Sequence, residues 1–189
     1  MIILVSRSER RIELLKRFKF KFKVLYPKYE EEILEDPIKT VKTNAINKVK
    51  SVLNQYLRGA YIGVDTVIYV DGETIEKPKS LEDARRILMK ISGKWHKVIS
   101  GLYIYDNTKG IEVFKYVETE VKFKDLNEEE LEWYLSTNEP MNAAGGYMIQ
   151  GLGGLFIEEI KGDYYNVVGL PINLLYKTLL ELGYNPLTR

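Results

Sequence analysis

The period of the apolar residues changes abruptly near the start of the chain. Met1 to Val5 is an unbroken apolar run, and Ser6-Arg7-Ser8-Glu9-Arg10-Arg11 leads straight into a helical spacing in which Arg11, Leu14, Leu15 and Phe18 share one face. A strand that turns at once into an amphipathic helix belongs in a sheet with that helix laid across it, which is an α/β arrangement. Ser8 is placed to cap the helix, and Arg10 and Arg11 fall in its first turn. Cations are unfavourable there by about 0.3–1 kcal/mol each, because the unbonded N–H groups already carry partial positive charge. An anion would complete the stretch, since hydroxyls, free amides and guanidinium forks converging on one point form a phosphate cradle. On that reading Arg11→Ala leaves the unliganded protein within about 1 kcal/mol of its original stability and mainly weakens anion binding. The competing reading is a capped surface helix with solvated arginines.

The remaining spacing extends the α/β pattern. Phe22 to Tyr26 reads as a strand, and Pro27 to Asp36 as an acidic loop containing Tyr29-Glu30-Glu31-Glu32. Asp36-Pro37 opens a helix whose stripe of Ile38, Val41, Ala45, Val49, Val52 and Tyr56 predicts helix to about Leu57. Lys48 stands at the edge of that stripe, so its stem is expected along buried surface and its ammonium at a rim. Ala60 to Val64 reads as an apolar strand ending in Asp65-Thr66, with Val67 to Val70 and the hairpin turn Asp71-Gly72 beyond it. Helices are predicted over Leu81 to Ile91 and Glu128 to Leu135, with two long antiparallel strands, Lys97 to Tyr105 and Gly110 to Phe123, between them. Five of the 14 glycines fall between Gly145 and Gly154, which signals positive φ or close backbone approach to a ligand. Leu155 to Ile160 reads as a strand, Gly162 to Asn166 as a polar turn, and Leu170-Pro171 as the start of a last helix to about Leu182. The 189 residues fit a single α/β domain, 1–189, with no repeat or linker.

Composition removes several function classes. A formal net charge of +1 gives no global attraction for nucleic acid or an anionic membrane, so anion binding must come from local clusters. With no cysteine there are no disulfides or thiolate nucleophiles, which fits a cytoplasmic protein. The sole histidine, His96, lies between Trp95 and Lys97 without an acid motif and reads as structural. No Gly-x-x-x-x-Gly-Lys-[Ser/Thr] run, Rossmann spacing, charged leader or long apolar segment occurs, and the tyrosines form no basic-aromatic stripe for nucleic acid. The residues left over are Ser6, Ser8, Arg10, Arg11, Lys48 and Lys77, with the carboxylates Glu31 and Asp65. That mixture suits a polyphosphate bound with a divalent metal, the carboxylates holding Mg²⁺ and the cations neutralising phosphate charge. Taken singly, Lys48 also reads as a snorkelling lysine and Glu31 as a solvated loop acid, whereas Asp65, directly after apolar Val64, needs partners.

The order of motifs resembles the Maf family, nucleotide pyrophosphatases also called septum-formation-inhibitor-like proteins and related to the inosine triphosphate pyrophosphatases. The resemblance rests on Ser6-Arg7-Ser8-Glu9-Arg10-Arg11 with Glu13-Leu14-Leu15, Glu30-Glu31, Lys48, Asp65-Thr66, Lys77-Pro78, Ser92-Gly93 with His96, Glu139-Pro140, Ala144-Gly145-Gly146-Tyr147 with Gln150-Gly151, and Gly162-Asp163-Tyr164 with Gly169-Leu170-Pro171. Glu9 departs from it, standing where the family usually has Pro. The resemblance implies an elongated mixed sheet flanked by helices, two lobes around a central cleft, and hydrolysis of nucleoside triphosphates to monophosphate and pyrophosphate with Mg²⁺ or Mn²⁺. It implies catalytic roles for Asp65, Lys77 and Lys48, metal binding or general-base action by Asp65 with Glu31 as second metal ligand, and phosphate binding by Ser8, Arg10, Arg11 and the lysines, beside Ser6. Thr66 and Gln150 would read the base or sugar, and both look like the branch acting on dTTP and UTP, sometimes CTP, rather than on 7-methyl-GTP. A homodimer is likewise implied. A non-catalytic, nucleotide-binding regulator of cell division is the alternative, and it would not need Asp65 with Glu31.

Overall fold

A computed structural model of the chain describes residues 1–53 and 57–187. In chain order the elements are β1 (Ile2–Val5), α1 (Glu9–Arg17), β2 (Lys23–Leu25), α2 (Pro37–Lys50), β3 (Ala60–Val70), β4 (Glu73–Ile75), α3 (Leu81–Ile91), β5 (Trp95–Asp106), β6 (Ile111–Phe123), α4 (Glu128–Ser136), β7 (Ile157–Lys161), α5 (Tyr164–Val168) and α6 (Ile172–Glu181). The strands form one mixed seven-stranded sheet, order β2-β1-β3-β5-β6-β7, with β4 added to β3. β1 pairs parallel with β2 and β3, and the remaining pairings are antiparallel.

β3 differs from its expected form in a way that matters for the site. The strand does not stop at Asp65 but runs on for 11 residues, because β5 pairs with it from Ala60 to Tyr69 without interruption. Its other edge changes partner: β1 covers Ala60 to Gly63, and β4 covers Ile68 to Val70. Val64 to Val67 therefore lie in a break on that edge. The side chains divide at the same place. On one face Ala60, Ile62 and Val64 join Leu102, Ile104, Leu15, Leu175 and Leu179 in one core, whereas Ile68 and Val70 join Val98, Phe123, Leu88 and Tyr134 in another. Thr66 and its cross-strand neighbour Ser100 form the polar seam between them, with their hydroxyls 2.8 Å apart. Two cores meeting at a seam give two lobes.

The opposite face is covered by α2, capped as expected by Asp36, whose carboxylate accepts from Lys39 N at 2.7 Å. Val41, Ala45 and Val49 pack onto Tyr61, Val67, Ile99 and Tyr103. The approach is close enough that a Cβ on Gly63 would stand 2.1 Å from the Ala45 carbonyl oxygen. The helix ends at Lys50, earlier than its apolar stripe predicts; Val52 is buried from a turn beyond the helix, and Tyr56 lies outside the described residues. Two other expectations change. The polar turn at 162–166 is partly helix, since Asp163 caps α5, and the glycine-dense stretch is folded into short 3₁₀ turns, Ala144–Gly146 and Leu152–Phe156. No helix among the described residues is long and apolar enough to cross a membrane.

Candidate active site

The break in the sheet exposes the Val64 carbonyl, and two cations reach it. Lys48 Nζ donates to Val64 O at 3.0 Å and to Asp65 Oδ1 at 2.8 Å, while Arg11 Nη1 donates to the same carbonyl at 3.0 Å. Arg11 goes further, with Nε donating to Gly169 O at 2.7 Å and Nη2 to Thr66 Oγ1 at 3.0 Å. Because successive residues of a strand face opposite sides, Lys48 comes from the α2 face with Asp65, and Arg11 from the α1 face with Thr66. Close packing of α2 over Gly63 makes the Lys48 reach possible. Its ammonium does not emerge at a rim: Lys48 is 4% exposed and also meets Glu31 at 2.5 Å. A carbonyl and two carboxylates hold it where a snorkelling lysine would have found water.

Asp65, 4% exposed, is satisfied on both oxygens, since Asn44 Nδ2 donates to Oδ2 at 2.8 Å. Asn44, which the sequence reading passed over, is fully buried and saturated: it also donates to Glu32 O at 3.0 Å and accepts from Glu32 N and the Tyr29 hydroxyl, each at 3.1 Å. One amide thus ties the acidic loop to the strand. Its signal was available, because Asn44 lies four residues before Lys48 on the buried stripe of α2, where a polar side chain requires a reason.

Above these residues lies a cleft of about 380 Å³, within the usual size range of small-ligand sites. It brings together Ser6, Ser8, Arg10, Arg11, Glu31, Lys48, Asp65, Thr66 and Lys77. Ser8 occupies the N-cap position of α1, but its side chain makes no capping bond; its N–H donates to Ser6 Oγ at 3.1 Å instead. Arg10 and Lys77 make no hydrogen bond or ion pair among the described residues. Burial lowers both pKa values, Arg10 to about 10, and repulsion from Arg11 lowers them further, with Arg10 also acting on Lys77. Cations held together at such a cost are relieved by an anion. Gln150 does not line the cleft; it lies exposed on the glycine-dense segment, whose Leu152 and Gly153 amides are bound by Glu139 at 2.9 and 2.8 Å. His96 is buried, its Nε2 2.7 Å from the hydroxyl of Tyr147, which lines the cleft, and burial alone lowers its pKa to about 4.

The sequence reading gave Glu76 no role. It follows β4, lines the cleft, and keeps Oε1 buried without a hydrogen-bond donor; burial first, then Asp65 and Glu31, raise its pKa. An acid immediately before Lys77-Pro78 was the only hint.

A cationic cleft over a sheet break, backed by buried carboxylates, defines a binder of small polyanions on a two-lobed mixed α/β fold. The chain belongs to the Maf family, whose profile, described as Maf-like protein, matches residues 1–182. It is 47% identical over 187 residues to the dTTP/UTP pyrophosphatase of Dictyoglomus thermophilum, with 97% of each chain covered. It is 45% identical to the proteins of the same name from Pyrococcus horikoshii, over 98% of each chain, and Staphylothermus marinus, over 95% of this chain and 87% of the relative.

Proposed function

We propose that this chain hydrolyses pyrimidine nucleoside triphosphates of the dTTP/UTP type to the monophosphate and pyrophosphate, clearing such nucleotides from the cytoplasmic pool as a homodimer. The observation that carries the reading is the division of the cations. Lys48 and Arg11 are bound to the protein, whereas Arg10, Lys77 and the Ser8 hydroxyl meet the cleft without protein partners among the described residues. The free groups suit the triphosphate. The names of relatives at 45–47% identity over nearly the whole chain supply the substrate class.

The residues present fit a divalent ion such as Mg²⁺ or Mn²⁺. Glu30, Glu31, Asp65 and Glu76 line one cleft, and the orphaned Glu76 oxygen leaves carboxylate capacity unfilled. Among the described residues no three acids or imidazoles converge into a ready-made cage, which suits Mg²⁺, an ion normally held by one or two carboxylates together with substrate phosphates. Glu31 and Asp65 would hold it; when bound it would neutralise phosphate oxygens and make water more acidic. Arg10 and Lys77 bind the β- and γ-phosphates, and the start of α1 receives an anionic oxygen. An Asp65 carboxylate oxygen, fixed by Lys48 and Asn44, takes a proton from the water that attacks the α-phosphorus, and the bond to the β-phosphate breaks. Pyrophosphate leaves against the two free cations. Thr66 and Gln150 contribute to reading the nucleoside. The test is a panel of canonical and modified triphosphates with Mg²⁺, resolved by chromatography. Monophosphate and pyrophosphate from dTTP and UTP are expected; diphosphate and orthophosphate would refute the chemistry.

A further inference from the structure

The carboxylates singled out from sequence, Asp65 and Glu31, are both tied to Lys48. Both contact the buried Lys48 ammonium, at 2.8 and 2.5 Å, and Asp65 also accepts from Asn44. Lys48 therefore answers one of the two negative charges those acids carry. Glu76 differs: it lines the same cleft, no ion pair reaches it among the described residues, and its Oε1 is shut away from solvent without a donor. A buried carboxylate oxygen left unpaired is destabilising, so one that persists calls for a partner. The unfavourable influence of Asp65 and Glu31 on its ionisation puts it within electrostatic reach of both. Its position is fixed by the backbone, since the Glu76 carbonyl accepts from Gly145 N at 3.1 Å, and Gly145, at φ 73°, packs so tightly on Ile68 that a Cβ would stand 1.9 Å from its Cδ1. A hard divalent cation is the partner that satisfies an unpaired carboxylate beside two acids that share one lysine.

We infer that Glu76 is a further ligand of the divalent cation, adding a carboxylate that no protein cation holds to the oxygens Glu31 and Asp65 offer it. The inference rests on the proposed metal-assisted hydrolysis and assigns one residue of that site. In a competing structural role, Glu76 only fixes the turn between β4 and α3.

The test uses the full chain and Mn²⁺, with free Mn²⁺ measured by electron paramagnetic resonance, alone and with an α,β-imido analogue of dTTP. Glu76→Gln is expected to weaken Mn²⁺ binding at least tenfold in both cases, to leave analogue affinity in EDTA within twofold, and to keep or raise the melting temperature in EDTA, because an unpaired buried charge has gone. Mn²⁺ affinity within twofold of the original protein would overturn the inference. So would a lower melting temperature of Glu76→Gln in EDTA, which would make the residue structural. Failure of the underlying reading looks different: the unsubstituted protein would release no pyrophosphate from any pyrimidine triphosphate, whatever its Mn²⁺ affinity.

Discussion

Replacing Arg11 by Lys keeps the charge and removes the fork. In the structure the guanidinium donates to Gly169 O, Val64 O and Thr66 Oγ1, joining the loop before α6, the break in β3 and the polar seam between the two cores. An ammonium also has three donors, but on a single nitrogen it cannot span acceptors reached from Nε, Nη1 and Nη2, so one or two of the three contacts are lost. Hydrogen bonds from a charged donor contribute about 1.5–3 kcal/mol each, and losses at one centre are not additive, so roughly 3–5 kcal/mol should disappear. For a chain of this length that corresponds to a fall of roughly 6–20 °C in melting temperature. Calorimetric melting without nucleotide, with urea unfolding as a second measure, reads the effect. Titration of a slowly hydrolysed dTTP analogue on the folded variant should show less than about a tenfold loss, since only two of the five guanidinium N–H groups were available to a ligand. This reverses the expectation drawn from sequence, in which Arg11 served an anion and mattered little to the unliganded protein. A variant as stable as the original, within about 1 kcal/mol, that binds nucleotide far more weakly would refute the structural role and restore the earlier one.

Other outcomes follow from the same geometry. Asp65→Asn should lower kcat at least about 100-fold, the low end for removing a general base or comparable group, and should also destabilise the chain by up to about 3–5 kcal/mol, because Lys48 loses a buried partner; steady-state kinetics and urea unfolding read the two effects, and unchanged values would remove Asp65 from both roles. Gly63→Ala should unfold the chain or cost about 1–3 kcal/mol or more, its Cβ pushing α2 away and drawing Lys48 and Asn44 off Asp65; an unchanged melting temperature would contradict the contact. His96 is held neutral with its pKa lowered from 6.5 to about 4, so its contribution is whole above pH 6.5 and is lost as pH falls towards 4, about 3 kcal/mol over that window. Denaturant midpoints of His96→Phe against the original chain from pH 7 to pH 4 should show that slope disappearing.

The elements that local pattern specifies were readable. Asp36-Pro37 caps α2, Asn127 and Glu130 form a reciprocal capping box at α4, and the period-two runs become β5 and β6, because each depends on residues a few positions apart. The errors lie where distant chain decides. Asp65-Thr66 looked like a strand end because a polar pair interrupts apolar residues; it is mid-strand because β5 pairs through it, and no residue near position 65 carries that information. The apolar stripe after Lys50 outlasts its helix, since Val52 is buried from a turn. Glu76 was overlooked because its lack of a partner is visible only once Asp65, Glu31 and Lys48 are seen to satisfy one another.

The exchange of β1 for β4 along one edge of β3 leaves carbonyls that no strand pairs, and buried carbonyls must be satisfied. Lys48 and Arg11 satisfy Val64 from opposite faces and bring positive charge to the bottom of the cleft. Burial first, and then the charge of Arg11, depresses the proton affinity of Arg10 and Lys77 and leaves them poised for an anion. The anion site is in this sense a consequence of how the sheet is interrupted. It follows that substitutions at Arg11 and Lys48 should lower stability and binding together, whereas those at Arg10 and Lys77 should weaken binding alone.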